Sequence, residues 1–182
     1  RRYLKPDEAQ RLIEAAAPHL KGPIEFALLT GVRFSNWVGL DWSQIDMRAR
    51  TITFRVKSKR PGGKVLTIPM SEGVLVLLAR YGPKDAGPVW FYKGKPFRDI
   101  TDGWRAALRR AGIEDFRVHD LRHTAATWMR QRGVPLEVVR DVLGHADIRT
   151  TQLYAHVERA ELRAAVDELA GQLRQEGGRW TK

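Results

Sequence analysis

The stretch from His119 to Tyr154 holds the residue types best able to do chemistry in this chain. It reads His119-Asp120-Leu121-Arg122-His123, then Leu143-Gly144-His145, then Thr150-Thr151-Gln152-Leu153-Tyr154. Imidazole and guanidinium groups donate hydrogen bonds to phosphate, and a phenol is an oxygen nucleophile. Those are the parts that phosphoryl transfer without a metal requires, so cleavage of a DNA strand is the first reaction to consider. His119 and Arg122 are three residues apart at a predicted helix start, on one face, placed to grip one phosphate together. His145 follows a Gly turn that should end a helix and expose the ring. Tyr154 lies between Thr150-Thr151 and His156, a polar neighbourhood poorly suited to a packed ring.

Upstream, Thr30-Gly31-Val32-Arg33-Phe34-Ser35 sets an arginine just after a helix-ending Gly turn. Lys57 and Lys59 are two apart and so share one face of a predicted strand. Taken singly, each of these has a plain structural explanation. A lone His-x-x-Arg is usually a helix start with a surface Arg, a Tyr at helical spacing is usually core, and hairpin lysines deter edge pairing. A zinc set of His119, His123 and His145 is disfavoured, because no cysteine assists and Asp120 points off that face.

The bulk properties agree with an anionic partner. The chain has 182 residues, no cysteine, a net charge of +11 and a pI of about 10.4, with 43% hydrophobic residues. That length suits one domain with a real core. The charge favours a nucleic acid, since counterion release from phosphates supplies most non-specific affinity. No run approaches the roughly 20 apolar residues of a membrane span, so membrane insertion finds no support. Without cysteine there is no disulfide or thiolate chemistry, which is compatible with a reducing interior. Arg1-Arg2-Tyr3 reads as the middle of a longer chain, with an N-terminal partner domain missing.

The elements that must position these residues are mainly helical. Pro6-Asp7-Glu8 opens a helix that runs to about Pro18, with proline suited to the first position and acids to the positive end. A second helix spans Pro23 to Leu29 and stops at Thr30-Gly31, and a short helical piece passes through Trp37 and Leu40. Thr51–Val56 and Lys64–Ile68 alternate polar and apolar residues around Pro61-Gly62-Gly63, which predicts a hairpin. Ser71 caps a helix to about Tyr81, and Val89–Tyr92 forms a short strand. From Arg98 onward the pattern predicts helices over 99–111, 119–132, 136–143, 147–156 and 158–175, with Gly112, Gly133 and Gly144 at stops. The expected class is α+β, mainly α, with one small antiparallel sheet.

Each signal is weak alone, but their order and spacing are specific. Thr30-Gly-Val-Arg33, a lysine hairpin ending in Ile68-Pro69, His119-x-x-Arg122, Leu143-Gly-His145 and Tyr154 resemble the catalytic domain of the tyrosine recombinases, the phage integrase family. The resemblance covers about Leu4 to Gln175. It implies that Arg33 and Arg122 hold the non-bridging oxygens of a scissile phosphate, with His145 as a third donor. It implies that His119 assists proton removal, that Tyr154 attacks phosphorus, and that a hairpin lysine protonates the departing 5′ oxygen. Counting back from Pro69, with a hairpin about two residues longer than usual, favours Lys59; counting forward from Arg33 favours Lys57. Lys59 is preferred, with Lys57 the alternate. Asn36 departs from the family, which often carries a carboxylate there.

The chemistry is coherent on its own terms. A phenol with a pKa near 10 needs a base or a strongly positive site to become a phenoxide. Two guanidiniums offer planar forks for a phosphorane, and a lysine crowded by cations can act as the acid. The resemblance therefore implies a site-specific recombinase acting on double-stranded DNA with no metal, ATP or other cofactor. It further implies a tetramer on DNA, accessory DNA-bending proteins as candidate partners, and a cytoplasmic setting. The domain expectation is a catalytic domain over 1–175, whose C-terminal helix 158–175 is a candidate for exchange between protomers, and a flexible tail over 176–182. A type IB topoisomerase shares the chemistry, and a non-catalytic DNA-binding module shares the charge. Relaxation of plasmid lacking a special site discriminates the first, and failure to trap a Tyr154-dependent adduct the second.

Overall fold

The computed structural model describes residues 2–56, 64–97 and 99–144, together with positions 164, 166, 167, 169 and 171. Lys57, Lys59, His145 and Tyr154, and the helix expected over 147–156, lie outside the described residues. The elements run α1 (Pro6–Ala15), α2 (Pro18–Thr30), α3 (Phe34–Val38), a 3-10 turn (Trp42–Gln44), β1 (Ile45–Asp46), β2 (Thr51–Val56) and β3 (Lys64–Pro69). There follow α4 (Glu72–Ala79), β4 (Phe91–Tyr92), β5 (Lys95–Pro96), α5 (Thr101–Ala111), α6 (Asp120–Gln131) and α7 (Leu136–Leu143). The mainly helical α+β class expected from the pattern is the one observed.

Local chemistry explains most of the boundaries. Pro6 opens α1 with Asp7 and Glu8 in its first turn, and the Glu8 carboxylate accepts from the Lys5 N–H at 2.9 Å. Ser71 caps α4 by accepting from the Val74 N–H at 3.3 Å. Asp120 reaches back to accept from the Arg117 N–H at 2.8 Å, fixing the entry to α6. One boundary differs from the sequence pattern. Helix α2 begins at Pro18, five residues before the expected Pro23, which lies inside it. A proline within a helix forfeits one intrahelical bond. The burial of Leu20, Ile24, Phe26, Leu28 and Leu29 along this helix outweighs that loss.

Helix α2 is the axis of the fold, packed by α1, α3, α4 and α6, while α1 also lies on α5 and α7 on α6. Strands β1, β2 and β3 form an antiparallel sheet in that order, with Ile52 opposite Ile68 and Phe54 opposite Leu66. Phe54, Ile52 and Ile68 face the core. Strand β1, beside Ile52, and the separate pair β4–β5 are too short to be read from alternation. Buried indoles keep their polar ends satisfied: Trp90 Nε1 donates to the Trp37 carbonyl at 2.6 Å and Trp128 Nε1 to that of Leu4 at 2.9 Å. Beyond α7, positions 164, 166, 167, 169 and 171 are helical, and Val166 and Leu169 are buried in the same core.

One buried ion pair makes stability depend on pH. Glu25 of α2 is buried, and Arg80 Nη2 donates to both its carboxylate oxygens at 3.0 Å. Burial pushes the carboxyl up to about 7 despite the opposing pull of Arg80. Between its ordinary value of 4.5 and about 7 the folded protein holds a proton that the unfolded chain has lost. This contribution is therefore fully present below pH 4.5 and declines, by on the order of 3 kcal/mol, as pH rises through 7. Asp99 and Asp41, held below their ordinary range by hydrogen bonds from Thr101 and Ser43 respectively, act in the opposite sense only in more acid solution. Denaturant unfolding at pH 5 and pH 8 is expected to show a loss of stability at the higher pH that Glu25→Gln flattens. An unchanged slope in the variant assigns the dependence elsewhere.

Candidate active site

Two glycine-terminated helices converge to build this site. Gly31 ends α2 and Gly144 ends α7, with φ of 63° and 65° respectively, the left-handed conformation that glycine adopts without strain. Neither position has room for a side chain. A Cβ at Gly31 would lie 2.5 Å from a Leu143 methyl, and one at Gly144 would lie 2.3 Å from a methyl of Leu66 on β3. The ends of α2 and α7 thus come together, with the base of the β2–β3 hairpin pressed against the second of them.

The arginines expected to share a phosphate meet at this junction. Arg122 projects from the first turn of α6 and is buried. Its Nη1 donates to the Gly31 carbonyl at 3.0 Å and to the Leu143 carbonyl at 2.8 Å. Arg33, half-buried just past the α2 turn, donates through Nη1 to the Gly144 carbonyl at 3.0 Å. The carbonyl ends of helices carry partial negative charge, so guanidiniums placed there are both hydrogen-bonded and electrostatically favoured. Residues 33 and 122 are thereby joined through one short stretch, 143–144, which leads directly into His145.

Charge is concentrated here without a local counterion. Among the described residues neither guanidinium enters an ion pair. Burial, and then the neighbouring Arg33 charge, push Arg122 down to about 10, which still leaves it cationic at neutral pH. Its Nη2 is buried and has no hydrogen-bond partner among the described residues. An unsatisfied buried charged donor costs several kcal/mol, so it needs an explanation. An anion that brings its own oxygen to this donor supplies one.

His119 stands at the start of the same helix but is exposed, its ring edge-on to that of His123 with centroids 5.1 Å apart. It borders a recess of about 400 Å³ whose walls include Phe34, Trp104 and Val118. Phe34 follows Arg33, so the recess opens beside the cationic junction. Sequence reasoning did not find this apolar wall, nor the Leu66–Gly144 contact. The hairpin lysines, His145 and Tyr154 cannot be placed, since they fall outside the described residues; the strands leading to the lysines reach the α7 end through Leu66.

The phage integrase family model matches residues 2–161, a span that takes in all of these elements and the tyrosine beyond them. The chain belongs to the phage integrase family. It is 36% identical over 170 residues to the integrase of Salmonella phage P22, covering 86% of this chain and 44% of that protein. It is 32% identical over 167 residues to the tyrosine recombinase XerC of Mycobacterium sp. (strain KMS), covering 80% and 51%. The chain thus spans about half the length of the curated relatives it matches. Among solved structures, the catalytic domain of bacteriophage HP1 integrase superposes with a TM-score of 0.61 at 29% identity, covering 90% of this chain and 92% of that one. The integrase of mycobacterium phage Brujita superposes at 0.74 with 22% identity, covering 93% and 58%, a likeness of fold. The mainly helical architecture is therefore that of the phage integrase catalytic domain.

Proposed function

We propose that this chain is the catalytic domain of a site-specific DNA recombinase, which cuts and rejoins duplex DNA through a 3′-phosphotyrosyl intermediate. The observation that carries this reading is the pairing of Arg33 and Arg122 at the ends of α2 and α7, with a buried Arg122 donor left over. In the proposed reaction the two guanidiniums and His145 hold the scissile phosphate and stabilise its added charge in the transition state. The Tyr154 oxygen forms a bond to phosphorus while His119, exposed and approachable, helps remove the phenolic proton. The bond from phosphorus to the 5′ oxygen breaks, and a hairpin lysine gives that oxygen its proton. A 5′ hydroxyl from the same or another duplex then attacks the phosphotyrosine and reverses the sequence, so no ATP is consumed.

The same reading assigns residues 1–175 to the catalytic domain and 176–182 to a tail, and adds an N-terminal DNA-binding partner domain in the whole protein. It also proposes a tetramer on two duplexes. Exchange of the 158–175 helix between protomers would transfer the apolar face of Val166 and Leu169, here buried within their own chain, to a neighbour. The test is a nicked suicide duplex, radiolabelled on the strand segment 5′ to the scissile phosphate, followed by denaturing electrophoresis and peptide mapping. Label linked to Tyr154 supports the proposal, and label on no residue or another one overturns it.

The leaving-group acid is open to a separate measurement. A duplex with sulfur in place of the bridging 5′ oxygen departs without protonation. Lys59→Ala is expected to cleave the ordinary duplex slowly and the thiol duplex at the normal rate. Rescue of Lys57→Ala in place of Lys59→Ala transfers the role to Lys57.

A further inference from the structure

The β4–β5 hairpin lies outside the site described above. Its strands, Phe91–Tyr92 and Lys95–Pro96, are joined by Lys93-Gly94, with φ of 50° and 74° at these two residues. Two successive positive φ values are the geometry of a type I′ turn, for which Asn-Gly is the preferred sequence. Lysine in the left-handed region costs roughly 1 kcal/mol, so this turn holds a residue that its backbone does not favour.

That lysine is part of an exposed array of cations and aromatic rings. Lys93 Nζ lies 5.3 Å from the centroid of the Tyr92 ring, and Lys84 Nζ lies 5.9 Å from that of Phe91. Tyr92 is stacked on His19 of α2 at 4.0 Å, and His19 meets Phe97 edge-on at 6.0 Å. Despite these contacts Phe91 is 45% and Tyr92 46% exposed. Lys95 adds a third exposed ammonium, and Asp85 is the carboxylate beside Lys84 in the chain. Protein interfaces are depleted in lysine, whereas the phosphates of a duplex are met by ammonium groups and by hydroxyl side chains such as tyrosine.

The place of this array in the fold gives it a distance. Tyr92 rests on His19 near the start of α2, while Gly31 at the other end of α2 receives Arg122. From His19 to Thr30 the helix rises roughly 16 Å.

We propose that the β4–β5 hairpin, through Lys84, Lys93, Lys95 and Tyr92, is a second contact for duplex DNA. It grips the sugar–phosphate backbone away from the phosphate held by Arg33 and Arg122, from the opposite end of α2. The inference rests on the proposed function, in that it takes DNA as the substrate of the main site.

The test compares the chain with a Lys93→Gly/Lys95→Ala variant and with Tyr92→Ala, by fluorescence anisotropy on a labelled 30-base-pair duplex over a salt series. Lys93→Gly suits the turn, so the double variant is expected to melt no lower than the parent. On the 30-base-pair duplex its affinity should fall roughly tenfold, and the salt slope by about 0.9 for each lost phosphate contact. Tyr92→Ala should lower affinity with little change in slope. Affinity and slope within twofold of the parent overturn the inference. So does a loss confined to vesicles of phosphatidylglycerol. If the parent forms its tyrosyl adduct while these variants bind as it does, the hairpin inference fails alone. If the parent binds no duplex, the proposed function fails with it.

Discussion

Tyr154→Phe is expected to remove the protein–DNA adduct entirely while changing duplex affinity by less than about twofold. The substitution deletes one oxygen and keeps the ring, so whatever packing and backbone contacts the residue makes are preserved. An attacking oxygen must sit in line with the departing one, and misplacement by about 1 Å already costs on the order of 100-fold. The check is quantitative trapping on a suicide duplex beside an anisotropy titration of the same preparation. An adduct that survives in the phenylalanine variant sinks the assignment. Loss of both adduct and binding points instead to a structural role for the tyrosine.

Arg122→Ala is expected to slow single-turnover cleavage by 100-fold or more, about 3 kcal/mol, the scale of deleting one donor to a developing oxyanion. Its effect on stability should be much smaller, because two terms of similar size oppose one another. Truncation leaves the buried Gly31 and Leu143 carbonyls without their donor, a cost of about 1–3 kcal/mol each. It also relieves the burial of a charge beside Arg33, which pushes the arginine down to about 10 and so corresponds to roughly 3 kcal/mol. The expected outcome is a severe loss of rate with a net stability change under about 2 kcal/mol, read from denaturant unfolding. A collapse of stability with a proportionate loss of rate would identify Arg122 as a structural clamp alone.

Much of this arrangement was legible in the sequence because its signals are local. Gly31 and Gly144 sit where helical periodicity stops, and Arg33 and Arg122 occupy fixed offsets from helix ends. The alternation in Thr51–Val56 and Lys64–Ile68 around Pro61-Gly62-Gly63 predicts the hairpin that the paired strands β2 and β3 form. What escaped depends on contacts between segments far apart in the chain. Nothing near Gly144 announces that Leu66 will lie against it, and nothing near Pro23 announces that α2 runs back to Pro18 under the pressure of core packing. The pattern gives a short strand over Val89–Tyr92 but not its partner β5 or the turn between them, because Lys93-Gly94 lacks the Asn that usually marks such a turn. The choice between Lys57 and Lys59 turns on hairpin length, which periodicity measures poorly.

The Arg122 side chain ties Gly31 to Leu143, two points separated by more than half of the sequence. Detaching α7 from α2 would therefore disperse the positive charges together with the turn that precedes His145. On the proposed function, a partly opened molecule would hold no half-assembled centre able to nick DNA by accident. Under the proposed reaction, strand breakage would be confined to the intact state, and the same knot that concentrates charge would serve as a safety catch.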